Sequence, residues 1–237
     1  MTPTFKLVLC DLNKDLISEF KRAFANFPEV ETHLGSFTKI DFDCIVSPAN
    51  SFGLMDGGID GVITDYFGRQ MMDRVQAYVM KRYAGEQPIG TSMIVRGTDP
   101  LSTDKKLQFV AHTPTMILPR NISQTTNVYM AMKAMLLAIE EHNVSSSHKI
   151  RTVVCSGLGT GAGRVPYAQA ANDMAKAYFN FKNRPRKLTW TFGLLRYNDI
   201  MNKTNQPPTR TCHCGQPVDT TNIDAVAYDL CKDHVDE

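Results

Sequence analysis

The chain has 237 residues, 43% hydrophobic and 21% charged, with a formal net charge of +2. That composition fits a soluble globular protein: one full domain with an appendage, or two small domains. The charge is too mild to point to nucleic acid, and no apolar run approaches the roughly 18 residues of a membrane span.

The opening MTPTFKLVLCDLNKD reads as an immediate strand rather than a signal peptide, which makes a cytoplasmic location the expectation. In chain order, the pattern predicts a strand over 5–10 and a helix over 13–27. Asn13 caps that helix, and Leu16, Ile17, Phe20, Phe24 and Phe27 form its buried stripe. Strands follow over 30–34 and 42–47, helices over 58–67 and 69–83, and strands over 91–96 and 107–113. A helix over 124–142 presents Met130, Met135, Leu136 and Ile139 to a core. A strand over 149–155, a helix over 166–181 and a last strand over 187–195 complete the series. Such alternation implies a mixed or largely parallel sheet with helices on both faces. Ligands of such folds sit beyond the carboxyl ends of the strands.

Two strand-to-helix junctions carry candidate chemistry. In the first, a strand runs into Pro48-Ala49-Asn50, and Gly57-Gly58 opens a helix with Asp60 in its first turn. Paired glycines at a helix start leave N–H groups bare for an anion, and the Asn50 amide suits ribose hydroxyls. Asp60 has a plainer reading as a carboxylate that complements the helix dipole. In the second junction, Gly157, Gly159, Gly161 and Gly163 follow an apolar strand, and Pro166 stands near the start of the next helix. Such a loop can turn its N–H groups inward around a diphosphate. It is not a P-loop, since Arg164-Val165 stands where Lys-Ser/Thr belongs. A dinucleotide fingerprint over Gly157, Gly159 and Ala162 is the weaker alternative, with Asp199 as its only nearby acid.

Together these junctions resemble the macro domain family. Its Ala-Asn and Gly-Gly-x-Asp-Gly elements match Ala49-Asn50 and Gly57-Gly58-Ile59-Asp60-Gly61. Its glycine-threonine-glycine loop ending in proline matches the stretch from Gly159 through Thr160, Gly161, Ala162 and Gly163 to Pro166. The segment from Phe109 to Pro114 resembles the family's central strand, and the likeness spans roughly residues 5–200.

The resemblance implies a three-layer α/β/α fold with a mixed central sheet, ADP-ribose as ligand, and removal of ADP-ribosyl groups from an ester at the anomeric carbon. It implies that Asn50 binds the distal ribose and takes part in catalysis with Asp60, which acts on water or on the scissile linkage. Gly57, Gly58 and Ile59, with Gly159, Thr160, Gly161, Ala162 and Gly163, would hold the diphosphate and ribose. At the adenine position the family carries an aspartate, and here Gly35-Ser36-Phe37 stands, so Ser36 and Phe37 take that place without a charge. Gly163 stands where many members have an aromatic, leaving Phe52 or Tyr197 to supply a ring or merely to pack. Asp56 replaces a first-loop glycine and brings a second carboxylate near Asp60. Hydrolase, non-catalytic reader of ADP-ribose or a related nucleotide, and scaffold with an inactive cleft all remain open.

Of the six cysteines, Cys10, Cys44 and Cys155 lie in apolar runs and read as buried thiols. Cys212, Cys214 and Cys231 crowd the end of the chain with His213 and His234. Cys212, Cys214, Cys231 and His234 form a plausible structural zinc set, with His213 as a competing ligand and a tail of free thiols as the alternative. The expected organisation is a macro domain over 1–202, a linker over 203–211 and a zinc-binding tail over 212–237.

Overall fold

A computed structural model describes residues 4–98 and 106–201. Six strands form one sheet in the order β2-β1-β6-β3-β5-β4. They are β1 (Lys6–Asp11), β2 (Glu31–Leu34), β3 (Cys44–Ser47), β4 (Met93–Arg96), β5 (Phe109–His112) and β6 (Thr152–Cys155). All pairings are parallel except that of β4 with β5.

The strands are apolar on both faces because helices cover both. Leu7, Leu9, Val46, Val153 and Cys155 point into a large core under α1 (Lys14–Ala23), α4 (Asn127–Ser145) and α5 (Tyr167–Lys182). Their alternates Val8, Cys10, Ile45 and Val154 point into a smaller core under α2 (Gly58–Phe67) and α3 (Gln70–Tyr83). This is the three-layer arrangement with a mixed sheet that the sequence predicts, the two-residue strand period sending successive side chains to opposite layers. Asn13 caps α1 as expected, its Oδ1 accepting from Asp15 N at 2.8 Å and Leu16 N at 3.3 Å. Cys10, Cys44 and Cys155 are free and buried. Burial pushes all three thiols up, the first to about 11.

Two expectations need correcting. The strand predicted over 187–195 is replaced by a helix, α6 (Trp190–Met201). Alternation of Trp190, Phe192 and Leu194 mimics a strand. Followed further, Trp190, Leu194, Tyr197 and Met201 recur at helical spacing. Thr189 caps this helix, its Oγ1 accepting from Phe192 N at 3.1 Å. On α4, Met135, Leu136 and Ile139 are buried, whereas Met130 is 39% exposed. Among the described residues no helix is long and apolar enough to cross a membrane. The zinc set Cys212, Cys214, Cys231 and His234, and the linker before it, lie outside the described residues.

Candidate functional site

A cavity of about 750 Å³ opens beyond the carboxyl ends of β1, β6 and β3. That volume is in the range of small-molecule and cofactor sites. Its position follows from the strand order. The chain leaves β1 toward β2 on one side and returns to β6 and β3 on the other, so the connecting loops part there.

One wall is the start of α2. Gly57 precedes the helix and provides no side-chain cap, so the N–H groups of Gly58, Ile59 and Asp60 have no helical acceptor, and all three residues line the cavity. Gly58 has φ +55° and a side chain there would meet nothing within 4 Å. The glycine therefore serves both the left-handed turn and the open approach. Asp60 lies two positions further into the helix, 8% exposed. Ser47, the last residue of β3, donates from Oγ to Asp60 Oδ1 at 2.7 Å. Burial pushes this carboxyl up to about 6, and the Ser47 hydrogen bond pulls against that rise. The dipole reading of Asp60 thus captures only its place in the first turn.

A second wall is the loop after β6. Thr160 donates from Oγ1 to Gly157 O at 3.0 Å, Arg164 N to Gly161 O at 2.9 Å, and Val165 N to Gly159 O at 3.0 Å. Ile122 N reaches in to Gly163 O at 2.9 Å. Among the described residues, no intramolecular acceptor meets the N–H groups of Gly161 and Ala162, both of which line the cavity. The four glycines differ in what they permit. A side chain at Gly163 would lie 2.4 Å from Gly159 O and 2.9 Å from Ile122. At Gly161 it would meet nothing within 4 Å. Tight packing of the loop on itself explains why a glycine, and no aromatic, stands at 163.

The floor is the segment after β3. Ala49 N donates to Thr113 O at 3.2 Å and Thr115 N to Ala49 O at 2.9 Å, extending the β3–β5 pairing past the strand ends as far as the Asn50–Met116 bridge. Asn50 lines the cavity, but its amide is largely engaged by its own loop. Oδ1 accepts from Phe52 N at 3.1 Å and Leu54 N at 3.2 Å, while Nδ2 donates to Leu54 O at 2.8 Å. Sequence reasoning gave this amide to a ligand; the structure gives most of it to the shape of the loop.

At the far end, Ser36 lines the cavity and accepts from Thr38 N at 3.3 Å, closing a short 3-10 turn. Phe37 contributes to the lining too, yet its ring is buried edge-on against Phe42 and Tyr66. Asp56 is exposed at the cavity edge. Tyr197 is absent from the lining and 59% exposed on α6. That helix is tied instead to the middle of α5, where Lys176 Nζ donates to Asp199 O at 2.8 Å. Phe52 is likewise outside the lining.

Sequence reasoning missed Ser47, and also Cys10, Asp11 and Leu12 at the end of β1 and Thr115, Met116 and Pro119 after β5. The strand-end rule points to both β1 and β5. Neither end carries the glycines that marked the other two junctions.

Comparison with known proteins agrees with this architecture. A model of the macro domain matches residues 46–174. The chain is 32% identical over 160 residues to an uncharacterized protein of Aquifex aeolicus, covering 65% of this chain and 83% of that protein. It is 27% identical over 144 residues to an uncharacterized protein of Aeropyrum pernix, covering 61% and 67%. Among solved structures it is similar in fold to the Oceanobacillus iheyensis macrodomain with ADP. The TM-score is 0.50 at 22% identity, over 63% of this chain and 75% of that one. With more than half of its length matched by the family model, this chain belongs to the macro domain family.

Proposed function

We propose that the cavity binds ADP-ribose and that the protein hydrolyses an ADP-ribosyl ester at the anomeric carbon. The observation that carries this reading is Asp60. It is a buried carboxylate pushed up to about 6, on the wall of a cavity that is also lined by two stretches of backbone whose N–H groups lack intramolecular acceptors among the described residues. A solved relative in fold contains ADP, which fits a site built to receive a diphosphate. The N–H groups at the start of α2 and in the loop around Gly161 and Ala162 offer that diphosphate donors, and among the described residues the cavity lining holds no lysine or arginine.

In the reaction, the oxygen of a water molecule forms a bond to the anomeric carbon, and the bond from that carbon to the leaving carboxylate breaks. Asp60 takes the proton from the water, and the products are free ADP-ribose and a free carboxylate. A carboxyl near 6 is ionised enough at neutral pH to accept that proton and basic enough to hold it. The glycine loop fixes the rest of the ligand, so that the reacting carbon stays near Asp60.

A non-hydrolytic reader of ADP-ribose is the second reading. It is favoured by Asn50, whose amide is engaged by its own loop. Turnover of an ADP-ribosylated protein separates the two. Release of ADP-ribose by the wild type, lost in Asp60→Asn while binding persists, supports the hydrolase. Binding without release in the wild type supports the reader. A structural zinc held by Cys212, Cys214, Cys231 and His234 stays a separate proposal resting on their spacing, tested by metal content of the purified chain.

A further inference from the structure

α6 is apolar on two sides. Its inner side packs down, with Ile200 against the large core and Asp199 held by Lys176. Its outer side carries Trp190, Leu194, Tyr197 and Met201, which are 95%, 61%, 59% and 49% exposed. These four recur at i, i+4, i+7 and i+11, which sets them in one stripe along a 12-residue helix about 18 Å long. Scattered exposed apolar residues are ordinary, but a contiguous stripe marks a surface that receives something. A helix apolar on both sides is built to be covered on both.

We infer that the outer face of α6 is the docking surface for the chain's own C-terminal segment around Ile223, Val226, Ala227 and Leu230. Three observations name this occupant over a second copy or a foreign partner. The chain continues past Met201, where the stripe ends, for a further 36 residues, which include this segment. Ile223, Val226, Ala227 and Leu230 fall at i, i+3, i+4 and i+7, the spacing that presents one apolar side to a helix, with Asp224, Ala225, Tyr228 and Asp229 off that line. Charge matches as well. Residues 184–196 contain Arg184, which pairs with Glu140, together with Arg186, Lys187 and Arg196, and no acid, whereas 203–237 contain six acidic residues against three basic ones.

Tethering decides between this segment and a second copy. The 21 residues from 202 to 222 can extend to roughly 70 Å, several times the length of α6. A tether long enough to span that distance gives an effective concentration near the millimolar range, well above that of a free second chain. The attraction is apolar contact along the stripe, with the acids steering the segment toward the basic residues.

The chain's only tryptophan is Trp190, so its fluorescence reads the stripe directly. The experiment uses the full chain and compares the wild type with a double variant, Ile223→Asp with Leu230→Asp. The expected result is a red shift of Trp190 emission and stronger acrylamide quenching in the double variant, with unchanged circular dichroism. Val218→Asp, outside the spacing, is expected to leave the emission alone. The reciprocal change Leu194→Asp, with the tail intact, is expected to expose Trp190 to a similar degree. Emission of a fully exposed indole in the wild type, unaltered by the double variant, overturns the inference. So does shielding that grows with protein concentration and ignores the tail substitutions, which would assign the stripe to a second copy.

Discussion

Ser47 at the end of β3 donates its hydroxyl proton to Asp60 at the start of α2, across 2.7 Å. This bond joins sheet to helix at the cavity wall and holds one carboxylate oxygen in place. It also works against the burial that pushes the Asp60 carboxyl up to about 6. Removing the donor in Ser47→Ala therefore raises that carboxyl further. The acidic limb of the hydrolysis profile is expected to move to higher pH by about one unit, the scale of one hydrogen bond to a charged group. A pH–rate comparison of the two proteins checks this, and an unmoved limb would detach Asp60 from the proton transfer.

The same group sets a stability prediction whose sign is unusual for an aspartate. Its carboxyl rises from 3.8 to about 6 on folding, so the folded chain holds this proton more tightly than the unfolded one. Its contribution to stability is thus most favourable below 3.8 and declines as pH rises through about 6, by about 3 kcal/mol at most. Asp60→Asn removes the titration and keeps an acceptor for Ser47. Thermal melts should show the variant more stable than wild type near pH 8, with the gap closing toward about pH 4. Equal melting temperatures across that range would contradict the burial of the charge.

The glycine loop after β6 offers a contrast between two neighbouring positions. A methyl at Gly163 would meet Gly159 O at 2.4 Å, so Gly163→Ala should destabilise the fold by about 1–3 kcal/mol, as overpacking does. At Gly161 a side chain meets nothing within 4 Å and stands at the cavity, so Gly161→Val should leave stability nearly unchanged and block ligand. Denaturant unfolding of both variants, beside binding, tests the pair.

Asn50 makes three hydrogen bonds that shape the loop from Asn50 to Leu54. Asn50→Ala leaves the N–H groups of Phe52 and Leu54 and the Leu54 carbonyl without their partner. A loss of about 1–3 kcal/mol in stability should accompany any loss of binding, since buried groups lose their acceptors. Weakened binding in Asn50→Ala with full stability would show instead that the amide serves the ligand first.

The layers, the two glycine junctions and the capped α1 were legible because each rests on a local rule. Strand alternation sorts Leu7 from Val8, and Gly58 takes a left-handed turn that few other residues adopt. What sequence could not supply was partnership across the fold. Ser47 closes an apolar run, and nothing in that run says that its hydroxyl meets a carboxylate 13 residues on. The Asn50 amide fits a ribose or a loop equally well until the loop is folded around it. Gly163 looked like a missing aromatic until the approach of Gly159 O made the glycine necessary. Tyr197 was offered as a ring in place of the missing loop aromatic, and α6 places it on another surface, outside the cavity lining. The ends of β1 and β5 were missed because Asp11 and Met116 carry no composition signal, only a position in the strand order.

The central claim is that the cavity beyond β1, β6 and β3 receives ADP-ribose. Calorimetric titration of ADP-ribose into the wild type and into Gly161→Val tests it most directly, with AMP and NAD as comparison ligands. The account predicts saturable binding of ADP-ribose by the wild type, weaker binding of AMP, and loss of binding in Gly161→Val at unchanged stability. Equal affinity in the two proteins, or no binding of ADP-ribose by the wild type, would contradict it.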